Sequence, residues 1–313
     1  MDVIQGVGDQ SFGLSHPSSA LHASQQAPAF LQNSFSSWAP LTAAETSDQW
    51  ATYEYLLLVC LRTGDDKSAH LCLNRLTERF GPANERIMGL RGLYQEATAK
   101  DASTLQSILQ DYDNILKENA VNVPILKRRA ALLRSLGRDD EAISALVDYV
   151  EAFPTDAEAW CELADCYQDN AMCAQAIFSV EEALLVLPNS WNLHARLGEL
   201  LYISTTSTTV DASSAQTLAR SMRHFLRGIE LCDSFARALY GLILVTTKLL
   251  KHPEYLSGNN TSGIKVPSKE VIEEVNSMAL HKSEELVRLQ QSHSTPHGAQ
   301  GDFLALKELV QQK

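Results

Sequence analysis

The chain has 313 residues, with 38 acidic against 26 basic side chains, a net charge of −12 and a pI near 5.2. That acidity argues against nucleic acid as a partner, because phosphate contacts need a basic face. Hydrophobic residues at 45% supply a sizeable core, while the longest nearly apolar runs, Tyr55 to Leu61 and Ala238 to Val245, are too short to cross a bilayer.

In chain order, residues 1–45 are rich in Ser, Gln, Ala and Pro without sustained periodicity. They are expected to stay disordered, since they bury too little apolar surface to offset the entropy of ordering, with docking of Phe30, Leu31, Phe35 and Trp38 onto the solenoid or a partner as the alternative. Acidic Asp2 and Asp9 stand where a secretory leader carries basic charge before an apolar run. The expected compartment is therefore the cytosol, or a membrane surface reached through a partner.

From Trp50 onward the sequence repeats with a period of about 34 residues, the spacing of tetratricopeptide helix-turn-helix units. The unit from Trp50 places Tyr53, Leu56, Ala69, Leu73 and Leu76 in register, with Pro82 just past its end. The unit from Asn84 has Ile87, Leu90 and Tyr94, and its second helix resumes late at Ile108, Tyr112 and Ile115, after an insertion near Lys100 to Ser103. The unit from Val123 carries Leu126, Ala130, Leu133, Gly137, Ala142, Leu146, Tyr149 and Pro154.

The fullest unit runs from Ala157 to Pro188. Trp160, Leu163 and Tyr167 fall at i, i+3 and i+7 on one face of a first helix. Small Ala164 and Ala176 let the paired helices approach, Val180 and Ala183 carry the buried stripe of the second, and Pro188 stops it. Trp160 is expected in the core between its own unit and the preceding one. The unit from Trp191 has Leu197 and Gly198, then a Thr- and Ser-rich insertion at 204–215, then Ser221, Phe225 and Gly228. A partial unit from Ala236 has Leu239, Leu242 and Ile243.

The loop at 252–268 precedes a capping helix over 269–290, with Val271, Val275, Met278, Ala279 and Leu286 as its stripe. A linker over 291–301 leads to a short terminal helix, N-capped by Asp302 and carrying Phe303, Leu306 and Val310. The fold class is all-α: one tetratricopeptide-repeat α-solenoid over 47–290, a right-handed superhelix of helix-turn-helix units.

Sites for chemistry are scarce. There is no phosphate-binding G-x-x-x-x-G-K-[ST] loop, H-E-x-x-H, G-x-S-x-G or kinase signature. Cys60, Cys72, Cys161, Cys166, Cys173 and Cys232 form no C-x-x-C pair and read as free thiols packed as small hydrophobes. Asn259 and Asn260 satisfy the N-x-[ST] rule, which matters only to a secreted chain. The reading is of a protein that is not an enzyme, with no cofactor and no metal.

A superhelix of paired helices offers a groove lined by its first helices. On those helices Glu158, Glu162, Asp165 and Asp169 make an acidic stripe at i, i+4, i+7 and i+11, and Lys127, Arg128 and Arg134 make a basic counterpart. These seven residues are the candidate partner-binding groove; the competing reading is that the charges solvate the face or pair between neighbouring units. An adaptor that receives peptide tails of heat-shock proteins is the alternative function. The Lys and Asn clamp such repeats use for a terminal carboxylate is missing, since Leu58, Ala131 and Asp165 occupy its second position.

Several runs carry a family resemblance: Gly64-Asp65-Asp66, Ala69 to Leu73, Val123 to Arg128, Glu141 to Ile143, Asp156 through Trp160 to Ala164, Ala176 to Phe178 with Glu181 and Glu182, and Arg237 to Leu242. Through them the chain resembles subunit 2 of the ER membrane protein complex, in a fungal-type form. The resemblance implies a non-catalytic scaffold, peripheral on the cytoplasmic side of the endoplasmic reticulum. Its implied partners are the cytosolic segments of that complex's membrane-embedded subunits, with no membrane span of its own, and its implied task is to support insertion of tail-anchored and multi-pass proteins.

Overall fold

The computed structural model describes residues 17–33, 47–205, 212–252, 265–292 and 300–311. Fourteen helices are found among them. They are α1 (Pro17–Asn33), α2 (Ser47–Thr63), α3 (Asp66–Phe80), α4 (Glu85–Thr98), α5 (Ala102–Glu118), α6 (Val123–Ser135) and α7 (Asp139–Ala152), followed by α8 (Ala157–Asp169), α9 (Cys173–Val186), α10 (Trp191–Ser204), α11 (Ala212–Leu231), α12 (Ala236–Lys251), α13 (Lys269–Ser292) and α14 (Gln300–Gln311). By packing, the chain falls into two compact units, residues 1–145 and 146–313.

Helix starts are written in short polar side chains that accept hydrogen bonds from otherwise unpaired N–H groups. Asp65 caps α3 through Ser68 N (3.2 Å), Asp101 caps α5 through Thr104 N (2.8 Å), Asn122 caps α6 through Ile125 N (3.2 Å) and Asp156 caps α8 through Ala159 N (3.1 Å). Asn84 does the same for α4. Each cap is worth about 1 kcal/mol.

In the first unit, Leu56, Leu57 and Cys60 of α2 close on Ala69, Leu73 and Leu76 of α3 and on Ile87 of α4. Ile108 and Tyr112 of α5 close in turn on Ile125, Leu132 and Leu133 of α6. Burial pushes the Cys60 thiol up to about 11 and Cys72 up to about 12, so both stay protonated packing groups.

One expectation about this unit changes. The N-terminal region read as disordered holds α1, which packs on α2 through buried Ala27 and Leu31, the edge-on rings of Phe30 and Tyr53 at 5.5 Å, and a hydrogen bond from Thr63 Oγ1 to Ser24 Oγ at 2.8 Å. Its inward stripe is Ala20, Ser24, Ala27 and Leu31 at i, i+4, i+7 and i+11, nearly all small residues, which gives almost no hydrophobic signal. Pro17 sits at the first helical position, where its missing N–H costs nothing.

In the second unit Leu163, Ala164, Ala176, Val180 and Ala183 are all at most 2% exposed. Tyr167 is half-buried against Leu197 and Leu201 of the following helix pair. Trp160 differs from its expected place. It is half-buried beside Ala183 of its own pair and Leu193 of the next, with Phe178 edge-on at 6.2 Å. The reason is its ring N–H, which donates to the Pro154 carbonyl at 3.0 Å and so holds one edge of the indole at the surface. Pro188 stands two residues beyond the end of α9.

At the C-terminal end, α13 reaches Ser292 and packs on α12 as the second helix of that pair, burying Ile272 and Ala279. The terminal helix begins at Gln300, so Asp302 lies in its first turn rather than capping it. Leu306 is fully buried in the cluster that α12 and α13 form. Of the insertion expected at 204–215, Ser204 ends α10 and Ala212 opens α11. Residues 206–211 lie outside the described residues, as do Asn259 and Asn260 of the 252–268 loop and most of the 291–301 linker.

Candidate functional site: paired charges on the first helices

The first helices of successive pairs are joined by ion pairs. In the first unit, Glu54 of α2 accepts two bonds from the Arg86 guanidinium of α4, at 2.8 and 2.9 Å. Arg86 is largely exposed, so this pair contributes only about 0–1 kcal/mol. Glu96 of α4 is more enclosed. It accepts from Arg128 Nε of α6 at 3.0 Å and from the Tyr112 hydroxyl at 2.5 Å, and its side chain is 11% exposed. Burial and the hydrogen bond to Glu96 raise the Tyr112 pKa far above its ordinary value, so the phenol remains a donor. Gly92 makes room for it: a Cβ there would stand 2.2 Å from the Tyr112 hydroxyl.

The second unit carries a longer relay. Asp165 of α8 pairs with Arg196 of α10 at 2.6 Å, Arg196 reaches Glu199 one turn on at 3.7 Å, and Glu199 accepts from Arg237 Nη2 of α12 at 2.7 Å. Signs alternate at every step, so each charge stabilises the next and three first helices are tied together. Beside it is a cavity of 360 Å³ lined by Glu199, Tyr202, Phe225, Arg237, Tyr240 and Asp302, among others.

The seven predicted groove residues therefore separate into two kinds. Arg128 and Asp165 are spent on neighbouring helices, which is the pairing alternative the sequence left open. Lys127 and Arg134 are half-buried on α6; Glu162 is half-buried and Glu158 and Asp169 are exposed on α8, and none of these five is without a partner. Sequence reasoning missed Glu54, Arg86, Glu96, Arg196, Glu199 and Arg237. Their signal is an acid followed by an arginine of the next first helix 31, 32 or 38 residues later.

Stacked helix pairs whose first helices touch one another define a tetratricopeptide-repeat protein. A family model described as the EMC2 TPR-like repeat domain matches residues 68–216. The chain is 34% identical over 202 residues to the TPR repeat protein oca3 of Schizosaccharomyces pombe, covering 64% of this chain and 68% of that one. It is 31% identical over 207 residues to ER membrane protein complex subunit 2-A of Xenopus laevis, covering 66% and 65%. It is 21% identical over 189 residues to ER membrane protein complex subunit 2 of Saccharomyces cerevisiae, covering 59% and 64%. The chain belongs to the EMC2 family of tetratricopeptide-repeat proteins. The matches span about two thirds of the length of these relatives. Among the described residues no helix is long and apolar enough to cross a membrane.

Proposed function

We propose that this chain is a non-catalytic scaffold subunit of an ER membrane protein complex, peripheral on the cytoplasmic side and held there by soluble segments of membrane-embedded subunits. In that role it supports insertion of tail-anchored and multi-pass proteins. The observation that carries the reading is the similarity to proteins named as subunit 2 of that complex, which runs through the repeats themselves. The helix charges fit a division of labour. Arg128 and Asp165 brace neighbouring helices; within the second unit, Glu158, Glu162 and Asp169 on α8 are the acidic face proposed to meet partner segments, and within the first, Lys127 and Arg134 on α6 are the basic one.

Affinity purification of the tagged chain from detergent-solubilised membranes, with mass spectrometry of what accompanies it, tests the proposal. Recovery of a set of membrane-spanning proteins in constant ratio supports it. Recovery of soluble chaperones alone would reject it. An alkaline carbonate wash should release the chain from membranes, since its attachment runs through partners; retention in the pellet would contradict peripheral attachment.

A further inference from the structure

His194 of α10 and His224 of α11 face each other. Their Nδ1 atoms are 3.2 Å apart, with ring centroids at 5.4 Å and an interplanar angle of 25°. The Pro188 carbonyl lies 3.0 Å from His194 Nε2. A carbonyl only accepts, so the neutral His194 ring carries its proton on Nε2 and presents a lone pair at Nδ1. Ligand histidines are oriented in this way, with the far nitrogen donating to a backbone carbonyl or carboxylate and the near one left free.

His224 fits the same role. Its Nδ1 is the atom turned toward His194 Nδ1 from the adjoining helix. Arg220, one turn earlier, is ion-paired with Glu181 of α9, which offsets its repulsion of an incoming cation. Both rings are half-buried, and their exposed edges leave water a route to the remaining coordination positions.

The spacing matches a metal chelate. A tetrahedral cation with nitrogen ligands at about 2.0–2.1 Å holds two of them about 3.3 Å apart. Without a cation the rings meet through one proton, His224 Nδ1–H donating to His194 Nδ1. A cation takes the place of that proton once each ring turns by about 35–40°, so that both lone pairs converge on one tetrahedral point. The His224 proton moves to Nε2, both Nδ1 lone pairs go to the cation, and no net proton is released. We infer that His194 and His224 form a two-histidine chelate for a borderline divalent cation such as Zn²⁺ or Cu²⁺, clamping α10 to α11. Imidazole nitrogen selects that class over Mg²⁺ or Ca²⁺. Among the described residues no group of three or more His, Cys, Asp or Glu is placed to hold a metal, so water completes the shell.

Calorimetric titration of Zn²⁺ into the full chain at neutral pH, beside His194→Gln and His224→Gln, tests the inference. Each variant keeps every cysteine and the remaining histidines, so adventitious zinc binding is common to all three. One equivalent bound by the wild type and weakened about tenfold or more in both variants supports the site. Isotherms unchanged in the variants would overturn it. Should a variant fail to fold, electron paramagnetic resonance of one equivalent of Cu²⁺ on the wild type decides: coupling to two imidazole nitrogens supports the chelate, and an oxygen-only spectrum overturns it.

Discussion

The ring of Phe225 lies directly over Gly241: a Cβ built on that glycine would stand 2.3 Å from the ring's Cε1 and Cζ atoms. Gly198 bounds the other side, its Cβ position 3.0 Å from the same ring. Phe225 of α11 is thus threaded between α10 and α12 and is 1% exposed. With glycine on both sides, the ring has nowhere to retreat. Gly241→Ala is expected to destabilise the second unit by about 1–3 kcal/mol, the range for overpacking, and to lower its melting temperature. Adding Phe225→Leu should recover part of that loss, since the two sites share one contact. Strictly additive losses in thermal melts would mean the ring is not the obstacle.

The turn between α8 and α9 holds Ala171 at φ 58°, the one non-glycine residue with positive φ among those described. The equivalent turns after α2 and α6 use Gly64 at 78° and Gly137 at 70°. An L-residue there costs about 1–2 kcal/mol, while glycine costs about 0.5–1 kcal/mol of extra chain entropy. The difference favours glycine, so Ala171→Gly should raise stability by about 0.5 kcal/mol. A chemical denaturation midpoint that falls instead would show that the alanine is unstrained.

The repeat class was legible because its marks are chemical. Prolines close second helices and small residues sit where helices cross. Other features were hidden for physical reasons. The stripe of α1 is made of Ala20, Ser24, Ala27 and Leu31, too small to register as amphipathic until α2 is there to receive it. Trp160 occupies a core position in the repeat pattern, yet its N–H needs an acceptor and keeps it half-exposed. The groove charges could be counted, but their partners lie a whole repeat away. Asp165 and Arg196 are 31 residues apart in sequence, so nothing local distinguishes a paired carboxylate from one offered to a partner protein.

That distinction yields a test of the two roles on α8. Asp165 faces Arg196 at 2.6 Å with both side chains partly exposed, so the pair contributes on the order of 0–1 kcal/mol. Asp165→Lys should lower the melting temperature slightly, and Asp165→Arg combined with Arg196→Asp should restore much of it. Glu162→Lys should change stability by about 0.5 kcal/mol or less, yet reduce recovery of membrane partners, most of all at low salt, where charge repulsion is less screened. If Glu162→Lys recovers every partner, α8 is not part of the partner surface.

The last expectation concerns acid stability. His224 is held neutral in the folded chain down to about pH 4, whereas in the unfolded chain it takes up a proton near its ordinary value of 6.5. The unfolded state therefore binds more protons across that window. Stability is full above about pH 6.5 and falls as pH drops toward 4, by up to about 1.4 kcal/mol per pH unit from this group. The charged groups acting on it are His194 across the pair and Arg220 on its own helix, the latter held by Glu181 of α9. His224→Gln removes the titration without removing the polar contact to His194. With a chelator present to exclude cations, the melting temperature of the wild type should therefore fall more steeply than that of His224→Gln between pH 7 and 4.5. Parallel slopes would show that the ring is hydrated and free to charge in the folded state.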